Sequence, residues 1–140
     1  MVGCTENGDE IKKFCALDGM GIAKLREAGI IVGIITGENR ELVRRRAEKL
    51  KLDELHMGIS NKLAVVKEIC ARRGFSMEEV AYIGDDVNDM EVIRTVGYGC
   101  SVVNGREEVK AAAKYVTKTP GGSGAVREIA DLILKRLEQG

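Results

Sequence analysis

Three carboxylates crowd into five residues at Asp85, Asp86 and Asp89 of Gly84-Asp85-Asp86-Val87-Asn88-Asp89. Like charges so close repel one another, and a cation among them removes that cost. Together with the Asn88 amide they offer hard oxygen and amide groups, which suit Mg2+ better than the thiolates and imidazoles that zinc prefers. The apolar run Val80-Ala81-Tyr82-Ile83 reads as a buried strand and Gly84 as the turn after it. The acids then fall at a strand's carboxyl end, where open parallel sheets bind ligands. A plain structural reading competes: Asp86 caps the following helix and Asp89 sits in its first turn.

Two other places look chemical. Thr36-Gly37 closes the apolar run Ile30 to Ile35, so the Thr36 hydroxyl and the amides of the next helix face the same end as Asp85 and suit a phosphate. The alternative for Thr36 is a simple turn or cap. Lys62 falls in the first turn of a helix, where the macrodipole disfavours a cation by up to about 1 kcal/mol. Positions that break a local rule are disproportionately functional, and an ammonium reaching for an anionic group would justify this one; a solvated surface lysine is the bland alternative. In Thr119-Pro120-Gly121-Gly122-Ser123-Gly124, successive amides at Gly121 and Gly122 with Arg127 beyond them suit a carboxylate or phosphate, or merely turn the chain.

The elements that position these residues alternate strand-like and helix-like, the pattern of a parallel sheet between helices: an α/β, Rossmann-like three-layer sandwich. After the Ile30 to Ile35 strand comes a charged helix from about Asn39 to Lys51, then a helix capped by Ser60 or Asn61 with Leu63, Val66, Ile69 and Cys70 on its buried stripe. Ser76 and Glu79 form a capping-box pattern before the Val80 strand, and Tyr98 to Val103 reads as a further strand. The last helix carries Val126, Ile129, Ala130, Ile133, Leu134 and Leu137 at helical spacing. Before all of these, Asn7-Gly8 between Val2-Gly3-Cys4 and Ile11 to Cys15 reads as the turn of an amino-terminal β-hairpin. One domain is expected over residues 1–140, with the hairpin in 1–16 and the core in 17–140.

The 140 residues carry 22 basic and 22 acidic side chains, so no net field suggests a nucleic-acid or anionic-membrane partner. Arg44-Arg45-Arg46 is the one basic cluster, and Arg46 is a candidate for an anionic substrate. No apolar stretch approaches the roughly 20 residues of a membrane span, and Met1-Val2-Gly3-Cys4 does not open a signal peptide, so a cytoplasmic location is expected. Cys4, Cys15, Cys70 and Cys100 are irregularly spaced and read as reduced, mostly buried thiols; the lone His56 reads as packed or partly exposed.

Taken together, Ile35-Thr36-Gly37, Asn61-Lys62-Leu63 and Ile83-Gly84-Asp85-Asp86-Val87-Asn88-Asp89 resemble the second, third and fourth motifs of the haloacid dehalogenase superfamily of phosphatases, in the same order and spacing. Three further segments, Asn7 to Phe14, Leu17-Asp18-Gly19-Met20-Gly21-Ile22 and Pro120 to Glu128, are similar to the capless subgroup that contains the 3-deoxy-D-manno-octulosonate 8-phosphate phosphatases. The resemblance implies a HAD-like fold and a Mg2+-dependent reaction on a phosphorylated sugar acid. It implies that Thr36, Gly37 and Lys62 hold the phosphate, that Asp85 ligates Mg2+, and that Asp86, Asn88 and Asp89 orient metal and lysine. It also implies a homo-oligomer, a tetramer in the subgroup, in which the hairpin and the Gly121 to Gly124 loop help cover a neighbour's site.

Two departures matter. The family's nucleophile and its general acid lie in an Asp-x-Asp-Gly-x-x-Thr-Asp segment on the first strand, and no such segment occurs in these 140 residues. The chain begins at about the family's hairpin, so the first strand is expected to be missing and its neighbours' edges to need a partner or a rearranged segment. Asp9 and Asp18 match other parts of the pattern and do not replace the nucleophile. Glu38 stands where octulosonate phosphatases usually carry arginine and looks more like relatives acting on nine-carbon sialic-type acids. The sequence therefore supports either a sugar-acid phosphatase, inactive or weakly active as these 140 residues, or a non-catalytic oligomerisation or binding domain such as the tail of some sialic-acid cytidylyltransferases.

Overall fold

A computed structural model describes residues 2–4, 16–120 and 124–139. Its sheet has six parallel strands in the order β3-β2-β1-β4-β5-β6: β1 Val2–Cys4, β2 Val32–Ile35, β3 Glu54–His56, β4 Ala81–Ile83, β5 Tyr98–Ser101 and β6 Tyr115–Val116. Parallel strands require crossovers, and helices supply them: α1 Ala16–Glu27, α2 Glu41–Lys49, α3 Lys62–Arg73, α4 Met90–Thr95, α5 Glu107–Ala112 and, after β6, α6 Ala125–Gln139. The expected α/β sandwich with a parallel sheet is what the chain forms.

Because strand side chains alternate, the sheet feeds two cores. Val32, Ala81, Ile83 and Cys100 face Ile22 and Leu25 of α1 and Ala125, Ile129 and Ala130 of α6. Ile35 and Tyr82 face Val66, Ile69 and Cys70 of α3 and Val92 and Ile93 of α4. A Cβ on Gly21 would lie 2.8 Å from the Arg127 Cα, so α1 and α6 approach closely only because this residue is glycine.

Val2–Cys4 is found in the middle of the sheet. The segment expected as one arm of a hairpin lies parallel between β2 and β4, Cys4 opposite Ile34 and Ile83, so the edges expected to stand open are paired. Its expected partner Ile11 to Cys15 and the Asn7-Gly8 turn lie outside the described residues. So do Asp9, Gly121 and Gly122.

Several local expectations are met. Asn61 caps α3 by accepting from the Ala64 amide at 3.1 Å, Gly74 ends that helix at φ 77°, and Ser76 and Glu79 form the capping box. Cys70 and Cys100 are buried free thiols, and burial pushes Cys100 up to about 12, as expected of an inert core cysteine. Among the described residues no helix is long and apolar enough to cross a membrane.

The short outer strand β3 is held by charge. Buried Glu54 accepts from Arg72 at 2.7 and 2.9 Å, from Arg73 Nε at 2.7 Å and lies 2.9 Å from His56 Nε2, tying β3 to the carboxyl end of α3. The Arg72 hydrogen bonds chiefly, with His56 and Arg73, hold the Glu54 carboxyl down at about 2 against an ordinary 4.5. A depressed carboxylate stabilises the fold fully above its unfolded value and loses that stabilisation as pH falls through its folded one. Glu54→Gln is therefore expected to lower stability by roughly 2–3 kcal/mol near neutrality. The gap to wild type in thermal midpoint should close as pH falls from 4.5 to about 2; a gap independent of pH would contradict it.

Candidate functional site

In this strand order the connections leave in opposite directions from β1 and β4, the kind of switch point at which α/β sheets bind ligands beyond the strands' carboxyl ends. Thr36 follows β2 and Asp85 follows β4, so they flank the carboxyl end of β1. Thr36 is fully buried, and its hydroxyl accepts the Glu38 amide at 3.1 Å, so the turn role weighed from sequence is present. Gly37 is exposed and Glu38 lies beside it with its carboxylate 3.2 Å from Arg40 Nε.

Lys62 opens α3 yet is only 5 % exposed, and its ammonium donates to Asp89 Oδ1 at 2.9 Å. The cation that the helix dipole disfavours is thus matched by a buried carboxylate. Asp89 is the hub of the site. Oδ1 accepts from Lys62 and from the Tyr82 hydroxyl at 2.8 Å, while Oδ2 accepts the amides of Asp85 and Asp86, each at 3.2 Å. A carboxylate offers about four acceptor positions, and protein donors take four here. Space is as tight as bonding: a Cβ on Gly84 would meet Asp89 atoms at 2.4 to 2.7 Å.

The other two acids differ. Asp86 caps the 3-10 turn Val87–Asp89 through the Val87 amide at 2.7 Å, so the cap weighed from sequence exists. Asp85 is half-buried, and burial first, then the charges of Asp89 and Asp86, push its carboxyl up to about 6. A group held so far from its preferred ionised state gains most from a nearby cation. Among the described residues no three His, Cys, Asp or Glu side chains converge on one metal position. Asp85, Asp86 and Asn88 nonetheless bring hard oxygen donors into one turn, the kind that could hold a divalent ion, whereas Asp89 is bonded to lysine, tyrosine and loop amides.

Beside Lys62 a cavity of about 370 Å3 opens between Ser60, Leu63, Val87, Asn88 and Glu91. Arg46 is half-buried in the last turn of α2. Two participants escaped the sequence reading. Tyr82 was legible only as a strand residue, although a buried phenol signals that some partner must exist for its hydroxyl. Glu54 gave no such signal, because its partners come from another element.

Comparison with known proteins agrees with this fold. Residues 55–129 match the model of the haloacid dehalogenase-like hydrolase family. The chain is 42 % identical over 127 residues to the 3-deoxy-D-manno-octulosonate 8-phosphate phosphatase KdsC of Yersinia pestis, covering 91 % of this chain and 68 % of that protein. It superposes with a TM-score of 0.89 and 34 % identity on the Moraxella catarrhalis 3-deoxy-D-manno-octulosonate 8-phosphate phosphatase, a structure in complex with magnesium, phosphate and KDO, covering 96 % of this chain and 84 % of that one. The cobalt-bound deoxy-D-mannose-octulosonate 8-phosphate phosphatase of Haemophilus influenzae gives 0.86 and 28 %, covering 96 % of this chain and 86 % of that one.

Proposed function

The chain belongs to the haloacid dehalogenase-like hydrolases, and from that membership we propose that it carries the phosphate- and metal-binding half of a Mg2+-dependent sugar-acid phosphatase site. The observation that carries the reading is the buried Lys62–Asp89 pair, set at the switch point with Thr36 and Asp85 around it. Lys62, Thr36 and the amides at Gly37 take the phosphate oxygens, and Lys62 offsets the charge that builds on a transferring phosphoryl group. Asp85, with help from Asp86, would hold Mg2+, which would supply neutralisation of charge on the phosphate oxygens. Asp89 acts one step back by holding Lys62 and the Asp85 loop in register. Glu38 and Arg46 are assigned to the sugar-acid portion of an eight- or nine-carbon substrate, as are Gly121 and Gly122, which lie outside the described residues. Self-association, as a tetramer, belongs to the same reading.

The sequence contains no Asp-x-Asp-Gly segment, so these 140 residues bind a phosphate ester without forming the covalent intermediate of the family. That feature equally suits a binding or assembly role. The test of the site is calorimetric titration of inorganic phosphate with and without Mg2+. Phosphate should bind more tightly with the metal present, and Asp85→Asn should abolish that enhancement while retaining weak metal-free binding. Mg2+ enhancement indifferent to Asp85→Asn would place the metal elsewhere.

A further inference from the structure

Tyr82 is the middle residue of β4, the strand that delivers the acid loop, and it is fully buried. Alternation along the strand sends Ala81 and Ile83 to the α1 and α6 face and Tyr82 to the α3 and α4 face, among Val66, Ile69, Val92 and Ile93. In such a cluster a phenylalanine would pack at no polar cost, whereas a phenol must find a partner. The hydroxyl donates to an oxygen that Lys62 also uses: Asp89 Oδ1 lies 2.8 Å from the Tyr82 hydroxyl and 2.9 Å from the Lys62 ammonium.

We propose that Tyr82 is a positioning residue for Lys62: its hydroxyl occupies one acceptor position of Asp89 Oδ1 and so keeps the ammonium on the cavity side of the carboxylate. Two lone pairs on that oxygen are shared between a neutral donor and a charged one. Without the hydroxyl, the ammonium can draw in towards the vacated lone pair, away from the cavity whose wall it forms. The carboxylate itself does not turn, because Oδ2 stays tied to the amides of Asp85 and Asp86. Tyr82 therefore governs the anion-binding cation while leaving the metal-anchoring loop in place. This assignment rests on the phosphate-binding reading given above for its functional consequence, though not for the position of the ammonium.

The experiment is Tyr82→Phe in the full chain, whose ring fills the same volume, with folding checked by its thermal melt. Inorganic phosphate and Mg2+ affinities are measured separately by calorimetry, and the Lys62 side chain is followed in 13C-lysine NMR spectra with Lys62→Arg assigning its signal. Phosphate affinity is expected to fall about tenfold, as loss of one hydrogen bond to a charged group would give. Mg2+ affinity should stay within about twofold, and the Lys62 ε-methylene signal should shift more than that of any other lysine. Unchanged phosphate affinity together with an unmoved Lys62 signal would overturn the proposal, as would an equal loss of phosphate and Mg2+ affinity, which marks a merely structural role. If wild type binds no phosphate, the signal alone decides: its movement supports the positioning role while the phosphate-binding reading fails, and its constancy overturns both. Should Tyr82→Phe not fold, the Lys62 signal in chain labelled with 3-fluorotyrosine, which alters the phenol's donor strength, serves the same decision.

Discussion

Asp89→Ala is expected to destabilise the fold by about 3–5 kcal/mol, the cost typical of removing one partner from a buried ion pair. Three losses coincide at this carboxylate. Lys62, 5 % exposed, keeps its charge with no counter-ion from Asp89; the Tyr82 hydroxyl loses its acceptor inside an apolar cluster; and the Asp85 and Asp86 amides lose theirs. For a domain of this size the melting midpoint should fall by roughly 10 °C or more. Asp89→Asn, which keeps oxygen and shape but not charge, should cost less in stability and nearly as much in phosphate affinity. A melt of Asp89→Ala within about 2 °C of wild type would show that the pair is not buried as described.

The parts of this site that were legible in the sequence are those whose signals are local. Lys62 announced itself by opposing the dipole of its own helix, and Asp86 and Asp89 by spacing that serves both a cap and a charged site. Thr36 and Asp85 were placed by the strands that precede them, since an apolar run followed by glycine fixes where the chain leaves the sheet. What remained hidden depends on partners far along the chain. The Tyr82 hydroxyl meets Asp89 only because the acid loop doubles back over the strand, and Glu54 meets Arg72 and Arg73 only once α3 docks beside β3. The six-residue helices α4 and α5 are too short to show a period. Val2–Cys4 was drawn towards a hairpin by the nearby Asn-Gly pair, whereas its strand partners are supplied by residues 32–34 and 81–83. Pairing on both sides in the middle of a sheet is the stronger influence, because it satisfies more backbone groups than a marginal two-stranded hairpin does.

The second large effect concerns turnover. Phosphoryl transfer in this family resemblance needs a carboxylate nucleophile in line with the ester and a second carboxylate to move the proton. In the reading proposed above Lys62, Thr36 and Asp85 hold and neutralise charge, but an ammonium paired to Asp89, a hydroxyl closing a turn and a half-buried carboxylate assigned to the metal supply no such nucleophile. Stabilising the developing charge without a group to attack phosphorus leaves binding intact and the covalent route closed. The purified chain should therefore bind a sugar-acid phosphate and release it unchanged.

The direct measurement is phosphate release from 3-deoxy-D-manno-octulosonate 8-phosphate by the 140-residue chain in Mg2+, read beside calorimetric binding of the same compound. Saturable binding that is lost in Lys62→Met, with release no faster than in the Asp85→Ala control, is the predicted result. Robust Mg2+-dependent release by wild type that disappears in Asp85→Ala, or binding indifferent to Lys62→Met, would contradict it.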